Sequence, residues 1–262
     1  SELYKLKNFD WGGDYQNSLD KYLVSHYVKV HKSYDTLISK FETEINVAVQ
    51  GYVLNSWYNH WSSILIEHIF KSHSTVLPTV GQIKSVDFFI NNVPFDLKVT
   101  YLPAEYIKDK RKEKGYPVEL TFLKKKAEEA KIIFDKKAKP ADIYYEIVEK
   151  MKDRNDAFCN GVLATLKNEK LEILNEVQAN PKILATWLYE NQGEMRFGSE
   201  NRLFLVLVDT DDFNSSWKLK RNLDLLKPTI ITYLDNFGTK KIDDLKVSFN
   251  FKGKPQTFTA LT

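Results

Sequence analysis

Apolar residues in the first 75 positions recur every three or four residues, the period of a helix that buries one face. Two helices are predicted over residues 19–30 and 37–45. A third is predicted to begin at Asn55 or Ser56, because both residue types cap helix N-termini. We expect the buried face of this third helix to consist of Trp57, Trp61, Ile64, Leu65 and Ile69.

The period of the pattern changes after these helices. Residues 86–90 and 93–101 are short segments rich in β-forming residues, and Asn91-Asn92 between them tolerate the positive φ of a tight hairpin turn. Residues 203–208 are continuously apolar, which is typical of a strand buried on both faces. A second hairpin is predicted near the end of the chain, from strands at 247–251 and 257–261.

Helical spacing returns between the two hairpins. It covers residues 119–152 and 171–189, and a further helix over 217–226 is expected to stop before Pro228. This order of elements predicts an α/β fold with a small mixed sheet flanked by helices. We expect a single domain, divided into a helical part, a core, and a C-terminal helix and hairpin (1–75, 76–210 and 211–262).

Composition favours a globular protein that binds no membrane. The 262 residues are 43% hydrophobic and 13% aromatic, enough for a sizeable core. The longest apolar run, residues 203–208, is far shorter than the roughly 20 residues that cross a bilayer. The sequence begins without a signal pattern, and the single Cys159 excludes an internal disulfide and a thiolate zinc cluster. We expect a soluble, cytoplasmic protein.

Charge is unevenly distributed along the chain. Residues 106–139 contain 12 Lys/Arg and 6 Asp/Glu, a local balance of +6, so the other residues sum to −3 within the net charge of +3. A basic segment in a nearly neutral protein indicates a localised contact with a polyanion. A solvated helix face is the alternative interpretation.

The first hairpin brings charged residues together. If Asn91-Asn92 form a two-residue turn, Asp87 lies directly opposite Asp96, with Cβ atoms roughly 4.5–5.5 Å apart. Lys98 lies two residues beyond Asp96 and therefore shares that face of the sheet. The opposite face is expected to pack on the core through Phe88, Phe95, Leu97 and Val99.

Two facing carboxylates repel each other and need a compensating cation. Carboxylate oxygens suit Mg²⁺, which keeps several waters, lowers the pKa of a bound water and stabilises charge on a phosphoryl group. Lys98 fits two roles, as the group that orients or deprotonates the attacking water or as a stabiliser of developing charge. The competing interpretation is a surface hairpin in which the aspartates pair with local lysines.

The spacing of these residues resembles the PD-(D/E)xK nuclease superfamily, which includes many type II restriction endonucleases. Asp87 matches the first acid of that motif, and Asp96-Leu97-Lys98 matches its second element in full. Val86 stands where the motif usually has proline, a residue that does not bind the metal. The resemblance implies a restriction-endonuclease-like core and Mg²⁺-dependent hydrolysis of double-stranded DNA at a specific sequence, by a homodimer in a prokaryotic cytoplasm.

Two other functions remain open beside the restriction enzyme. One is a repair or structure-selective nuclease with the same chemistry. The other, from a different class, is a nucleic-acid-binding protein without catalytic activity.

Members of the superfamily often add an acid from the helix before the hairpin. Glu67 is the candidate for this catalytic and metal-binding role, and an i,i+4 ion pair with Lys71 is the alternative. Gln82 and Lys84, just ahead of the first strand, are candidates for contacts with the site or with a phosphate. Two other groups of residues are weaker candidates for a metal site. The aspartates Asp209, Asp211 and Asp212 are expected to form a turn, and the histidines His60, His68 and His73 are expected to be structural.

A flexible basic loop is expected at residues 106–116, directly after the proposed catalytic strand, where it can contact phosphates beside the scissile bond. Lysines that open the next helix extend this surface. Residues 193–198 and 217–221 are further candidates for DNA contacts. The candidate DNA-binding residues are Lys108, Lys110, Arg111, Lys112, Lys114, Lys124 and Lys125.

Overall fold

The computed structural model describes residues 2–5, 19–79, 86–191 and 201–261. The chain divides into two compact units, the first made of Ser1–Pro78 and Lys218–Phe237, the second of Thr79–Trp217 and Gly238–Thr262. Within the described ranges, no helix combines the length and the apolarity needed to cross a membrane.

The helices of the described residues are α1 (Leu19–Leu23), α2 (Tyr34–Lys40), α3 (Asn46–Lys71), α4 (Ala104–Glu113), α5 (Glu119–Glu129), α6 (Pro140–Arg154), α7 (Ala157–Ala179), α8 (Pro181–Asn191) and α9 (Leu223–Asp235). Two π-helical turns follow α1 and α2, at Val24–Val28 and Phe41–Ile45. The 3₁₀ turns are Glu2–Lys5, Phe213–Arg221, Phe237–Thr239 and Ile242–Leu245. The strands are β1 (Val76–Pro78), β2 (Phe88–Ile90), β3 (Val93–Tyr101), β4 (Arg202–Leu207), β5 (Lys246–Phe251) and β6 (Lys254–Leu261).

The first unit is mostly helical, as predicted, but the face that α3 buries was predicted wrongly. Of the expected stripe, Ile69 is buried, whereas Trp61, Ile64 and Leu65 are exposed. The buried positions lie on the neighbouring face, which includes Tyr58. Because α3 has apolar residues on both faces, periodicity alone does not indicate which face is buried. In the first unit, α3 packs against α9, and this contact determines the buried face.

Pro228 does not stop a helix before it, contrary to the sequence prediction. It lies inside α9, near the N-terminal end, where the missing N–H removes a single helical hydrogen bond. The side chain of Asn222 caps α9 by accepting a hydrogen bond from the amide of Leu225 at 3.3 Å.

The predicted α/β class with a mixed sheet flanked by helices is confirmed. In the second unit, the strand order is β2-β3-β4-β6-β5. β3, β4 and β6 run parallel to one another, while β2 and β5 are antiparallel to their neighbours. Both predicted hairpins are present, and Lys252-Gly253 form the turn of the second one with φ of 49° and 79°.

Two apolar clusters hold the second unit together. The larger one joins α4, α7 and α8 to β4, β5 and β6, with Tyr189 stacked on Phe249 at 4.6 Å between ring centroids. The smaller cluster joins α5, α6 and α7 around Leu123, Ile147 and Met151. The sheet is therefore supported by helices that follow the first hairpin in the sequence.

Candidate functional site

The first hairpin has the predicted turn and register. Asn91 and Asn92 both adopt left-handed backbone conformations, with φ of 48° and 65°, as a type I′ turn requires. Phe88 pairs with Phe95 and Ile90 pairs with Val93. This pairing confirms that the turn sets the register of β2 against β3.

Asp87 lies where the ladder between β2 and β3 ends. Its amide donates to the carbonyl of Phe95 at 2.9 Å, the residue that already pairs with Phe88, so the predicted pairing of Asp87 directly opposite Asp96 is not formed. Its Oδ2 accepts a hydrogen bond from the amide of Leu97 at 2.7 Å. The carboxylate of Asp87 is thus held on the backbone of β3, at the residue between Asp96 and Lys98.

Asp96 and Lys98 lie on the same face of β3 and contact each other. The Lys98 Nζ donates to Asp96 Oδ1 at 2.6 Å. The Asp96 side chain is 14% exposed and that of Lys98 is 44% exposed. The largely buried carboxylate of Asp96 therefore contacts the ammonium group of Lys98, which is partly exposed to solvent.

Arg202 belongs to the same cluster, although the sequence pattern does not point to it. It pairs with Asp96 in the parallel register of β3 and β4, and its Nε lies 3.9 Å from Asp96 Oδ2. The buried guanidinium stacks over the ring of Tyr189 at 5.2 Å, and the Arg202 amide donates to the Tyr189 hydroxyl at 3.1 Å. The sequence signal for Arg202 is its position, as a charged residue directly before the apolar run 203–208.

The four charged residues balance one another. Asp87 and Asp96 carry formal charges of −1 each, and Lys98 and Arg202 supply two positive charges. A divalent cation at this hairpin must compete with Lys98 and Arg202 for the oxygens of Asp96. Two carboxylates still fit Mg²⁺, which is commonly bound by one or two protein carboxylates together with water and substrate phosphate.

No family model, no curated protein and no solved structure matches the chain. The interpretation of the hairpin therefore rests on its own residues and geometry.

In the described part of the chain, no three His, Cys, Asp or Glu side chains cluster closely enough to hold a metal. Glu67 lies on α3 in the first unit and forms an ion pair with Lys71. Asp209 accepts hydrogen bonds from the amides of Asp211 and Asp212. These aspartates form a turn at the end of β4, as predicted.

The basic segment after β3 is a helix, not the expected flexible loop. Residues 104–113 form α4, which begins after Pro103 and buries Tyr106, Ile107 and Arg111. The larger apolar cluster includes Tyr106 and Ile107, and this burial stabilises a helix that its many charges alone did not indicate.

Three basic residues of this segment are engaged within the protein. Arg111 is buried, donates to the carbonyl of Pro117 at 2.9 Å and forms an ion pair with Glu169. Lys114 bridges Glu172 and Glu176 on α7, and these hydrogen bonds raise the pKa of its ammonium. Lys110 donates to Glu113 at 2.6 Å.

The remaining candidates are more accessible. Lys108 and Lys112 on α4 and Lys125 on α5 are exposed, and Lys124 is half-buried. None of these four lysines forms an ion pair with another described residue. These four candidates can reach a phosphate without breaking an internal ion pair.

The other candidates for DNA contacts divide into two groups. Gln82, Lys84 and residues 193–198 lie outside the described residues. Of residues 217–221, Lys220 is buried and donates to Asn59 Oδ1 at 2.8 Å, and burial lowers its pKa to about 8. Arg221 donates to the carbonyl of Leu3 at 2.8 Å.

Proposed function

We propose that the protein is a Mg²⁺-dependent nuclease that hydrolyses double-stranded DNA, with Asp87, Asp96 and Lys98 as its catalytic residues. One observation carries the proposal: Asp87 Oδ2 is fixed on the Leu97 amide, directly between Asp96 and Lys98. More specifically, we propose that the protein is a type II restriction endonuclease with a restriction-endonuclease-like core. This assignment rests on the resemblance of the motif.

Each residue of the cluster has a task in this chemistry. Asp87 and Asp96 would hold the metal ion, which when bound supplies an activated water and stabilises charge on the phosphoryl group. The Lys98 side chain is more exposed than that of Asp96 and donates a hydrogen bond to an anionic oxygen in the structure. The same donation to a phosphate oxygen stabilises negative charge as it develops, which favours this role for Lys98.

Arg202 is proposed to position Asp96. Its guanidinium is held by the Tyr189 ring and by its place in β4, so it presents a fixed positive charge to Asp96 Oδ2. A carboxylate held from one side by Arg202 directs its other oxygen toward Lys98 and the solvent. Preorganisation of this kind lowers the reorganisation that the reaction requires.

Incubation of the purified protein with mixed-sequence plasmid DNA tests the proposal. We expect cleavage in Mg²⁺, no cleavage in EDTA, and loss of cleavage in Lys98→Ala. Discrete fragments indicate site-specific cutting, whereas nicks confined to junctions or flaps indicate a structure-selective nuclease. Intact DNA in the presence of Mg²⁺, or a Lys98→Ala variant as active as the parent protein, contradicts the catalytic role.

DNA binding is expected to depend on Lys108 and Lys112. Replacing both by Glu should weaken binding by at least about tenfold and reduce the salt dependence, because fewer counterions are released from the phosphates. Fluorescence anisotropy with a labelled duplex at several salt concentrations measures both effects. Lys254→Glu, which makes the same kind of charge change at the exposed tip of the second hairpin, is the control. Equal losses in the two variants contradict a specific surface on α4.

A further inference from the structure

Asn201, the residue directly before β4, connects three strands at the level of Asp96. Its carbonyl accepts a hydrogen bond from the amide of Asp96 at 3.0 Å. Its side-chain Nδ2 donates to the carbonyl of Pro94 at 3.2 Å, and its Oδ1 accepts a hydrogen bond from the amide of Thr259 at 3.0 Å. Asn201 therefore holds β3 through two contacts and β6 through a third.

The side chain of Asn201 continues two strand pairings beyond the end of β4. The parallel pairings of β4 with β3 and with β6 both begin at Arg202. Pro94 and Thr259 lie just outside these pairings. A short side-chain amide can serve both of their backbone groups, because its nitrogen donates to a carbonyl while its oxygen accepts from an N–H.

The place of Asp96 depends on this connection, because the support of β3 on its other side is short. β2 pairs with β3 over three residue pairs, and Asp96 lies outside them. Asp87, also beyond that pairing, is fixed on the amide of Leu97, the next residue along β3. The distance between the two carboxylates therefore depends on how the backbone of β3 is held on its β4 side. Functional sites tolerate positional errors of only about 0.5 Å.

We propose that Asn201 is a positioning residue that fixes the backbone of Asp96, so that the carboxylates of Asp87 and Asp96 hold a divalent cation together. This inference rests on the proposed function, in which both carboxylates bind the metal ion. Arg202 acts on the Asp96 side chain through its guanidinium, whereas the contacts of Asn201 described above are all with backbone groups. Groups that orient metal ligands from behind typically change metal affinity by about 10- to 100-fold when they are removed.

Titration with Mn²⁺, followed by the electron paramagnetic resonance of the free ion, tests the proposal without DNA. Mn²⁺ takes the same carboxylate and water ligands as Mg²⁺. We expect Asn201→Ala to weaken Mn²⁺ binding by at least about tenfold. Duplex binding in EDTA should be unchanged, because the lysines of α4 and α5 are unaffected.

Cleavage kinetics separate the positioning of the ligands from the reaction itself. In single-turnover cleavage by Asn201→Ala, the half-saturating Mg²⁺ concentration should rise by about tenfold or more, and the rate at saturating Mg²⁺ should fall by a smaller factor. Lys98→Ala should instead lower the rate at saturating Mg²⁺, because the Lys98 side chain is proposed to act on the phosphoryl group.

Hydrogen exchange reports on the backbone without any metal ion. In Asn201→Ala, the carbonyl of Pro94 and the amide of Thr259 lose their side-chain partner, so β3 should open locally more often. Mass spectrometry of peptides that cover β3 should show exchange near Asp96 that is at least about tenfold faster. Exchange in α6 should be unchanged.

Two further variants separate positioning from a general loss of stability. Asn222→Ala makes the same replacement in the first unit, where Asn222 caps α9, and should leave Mn²⁺ affinity unchanged although it lowers stability. Asn201→Ser keeps a hydroxyl that can serve one of the two backbone partners, so its Mn²⁺ affinity should lie between those of the parent protein and Asn201→Ala. Asn201→Ser also tests the proposal if Asn201→Ala does not fold.

The outcomes distinguish a failure of this inference from a failure of the proposed function. Mn²⁺ affinity that is unchanged in the Asn201 variants overturns the positioning role, with or without faster exchange in β3, and so does an equal loss of affinity in Asn222→Ala. A parent protein that binds no Mn²⁺ and cleaves no DNA overturns the proposed function itself, and the role of Asn201 toward the metal ion fails with it.

Discussion

Asp96→Asn is expected to lower the rate of DNA cleavage by on the order of 1,000-fold or more. The substitution keeps the size of the side chain but removes one of the two carboxylates proposed to bind the metal ion. It also changes the charge of the cluster from balanced to +1, since Lys98 and Arg202 keep their charges. A site with net positive charge repels a divalent cation, so loss of the ligand and loss of attraction act together.

Single-turnover cleavage of a plasmid in Mg²⁺ measures this effect, and duplex binding in EDTA shows whether the protein still engages DNA. We expect binding to be retained, because the lysines of α4 and α5 are unaffected. Asp211→Asn is the matched control, since Asp211 lies in the exposed acidic turn after β4. A cleavage rate of Asp96→Asn within tenfold of the parent protein would contradict the role of Asp96 as a metal ligand.

Glu169→Ala is expected to destabilise the fold by about 3–5 kcal/mol, because it leaves the buried guanidinium of Arg111 without its carboxylate. The Arg111 side chain is 4% exposed and that of Glu169 is 15% exposed. The Arg111 Nε already has no hydrogen-bond partner among the described residues, so the remaining contacts cannot compensate fully. Urea unfolding followed by circular dichroism measures the change in the free energy of unfolding.

Glu172→Ala offers a matched control on the same helix. Glu172 pairs with Lys114 at 2.8 Å at the surface, and exposed pairs contribute at most about 1 kcal/mol. Equal destabilisation by the two variants would contradict the distinction between a buried and an exposed ion pair. A double variant, Arg111→Met with Glu169→Leu, should recover much of the lost stability because no buried charge remains.

The hairpin of the candidate site was predictable because its geometry is local. Two Asn residues that accept positive φ, with alternating segments on either side, determine the register of β2 against β3. The same local rules placed Lys98 on the face of Asp96. These rules do not predict that the pairing of β2 with β3 ends at Phe88. Asp87 lies beyond this pairing, and its carboxylate accepts a hydrogen bond from the amide of Leu97.

Arg202 could not be assigned from the sequence, because its contact with Asp96 depends on which strand lies beside β3. The apolar run after Arg202 predicts a buried strand but not its neighbours in the sheet. The helix α4 was missed for a related reason. Its charges indicate exposure, whereas Tyr106, Ile107 and Arg111 are buried by contacts in the second unit.

The charge balance of the hairpin has a consequence for how the protein behaves without its proposed cofactor. Sites built from several unpaired carboxylates repel themselves when empty, so the metal ion contributes to folding. Here Lys98 and Arg202 already neutralise Asp87 and Asp96, and the strands need no divalent cation to assemble. A chelator is therefore expected to stop the proposed reaction and to leave the protein folded. Adding back the ion alone should then restore the activity.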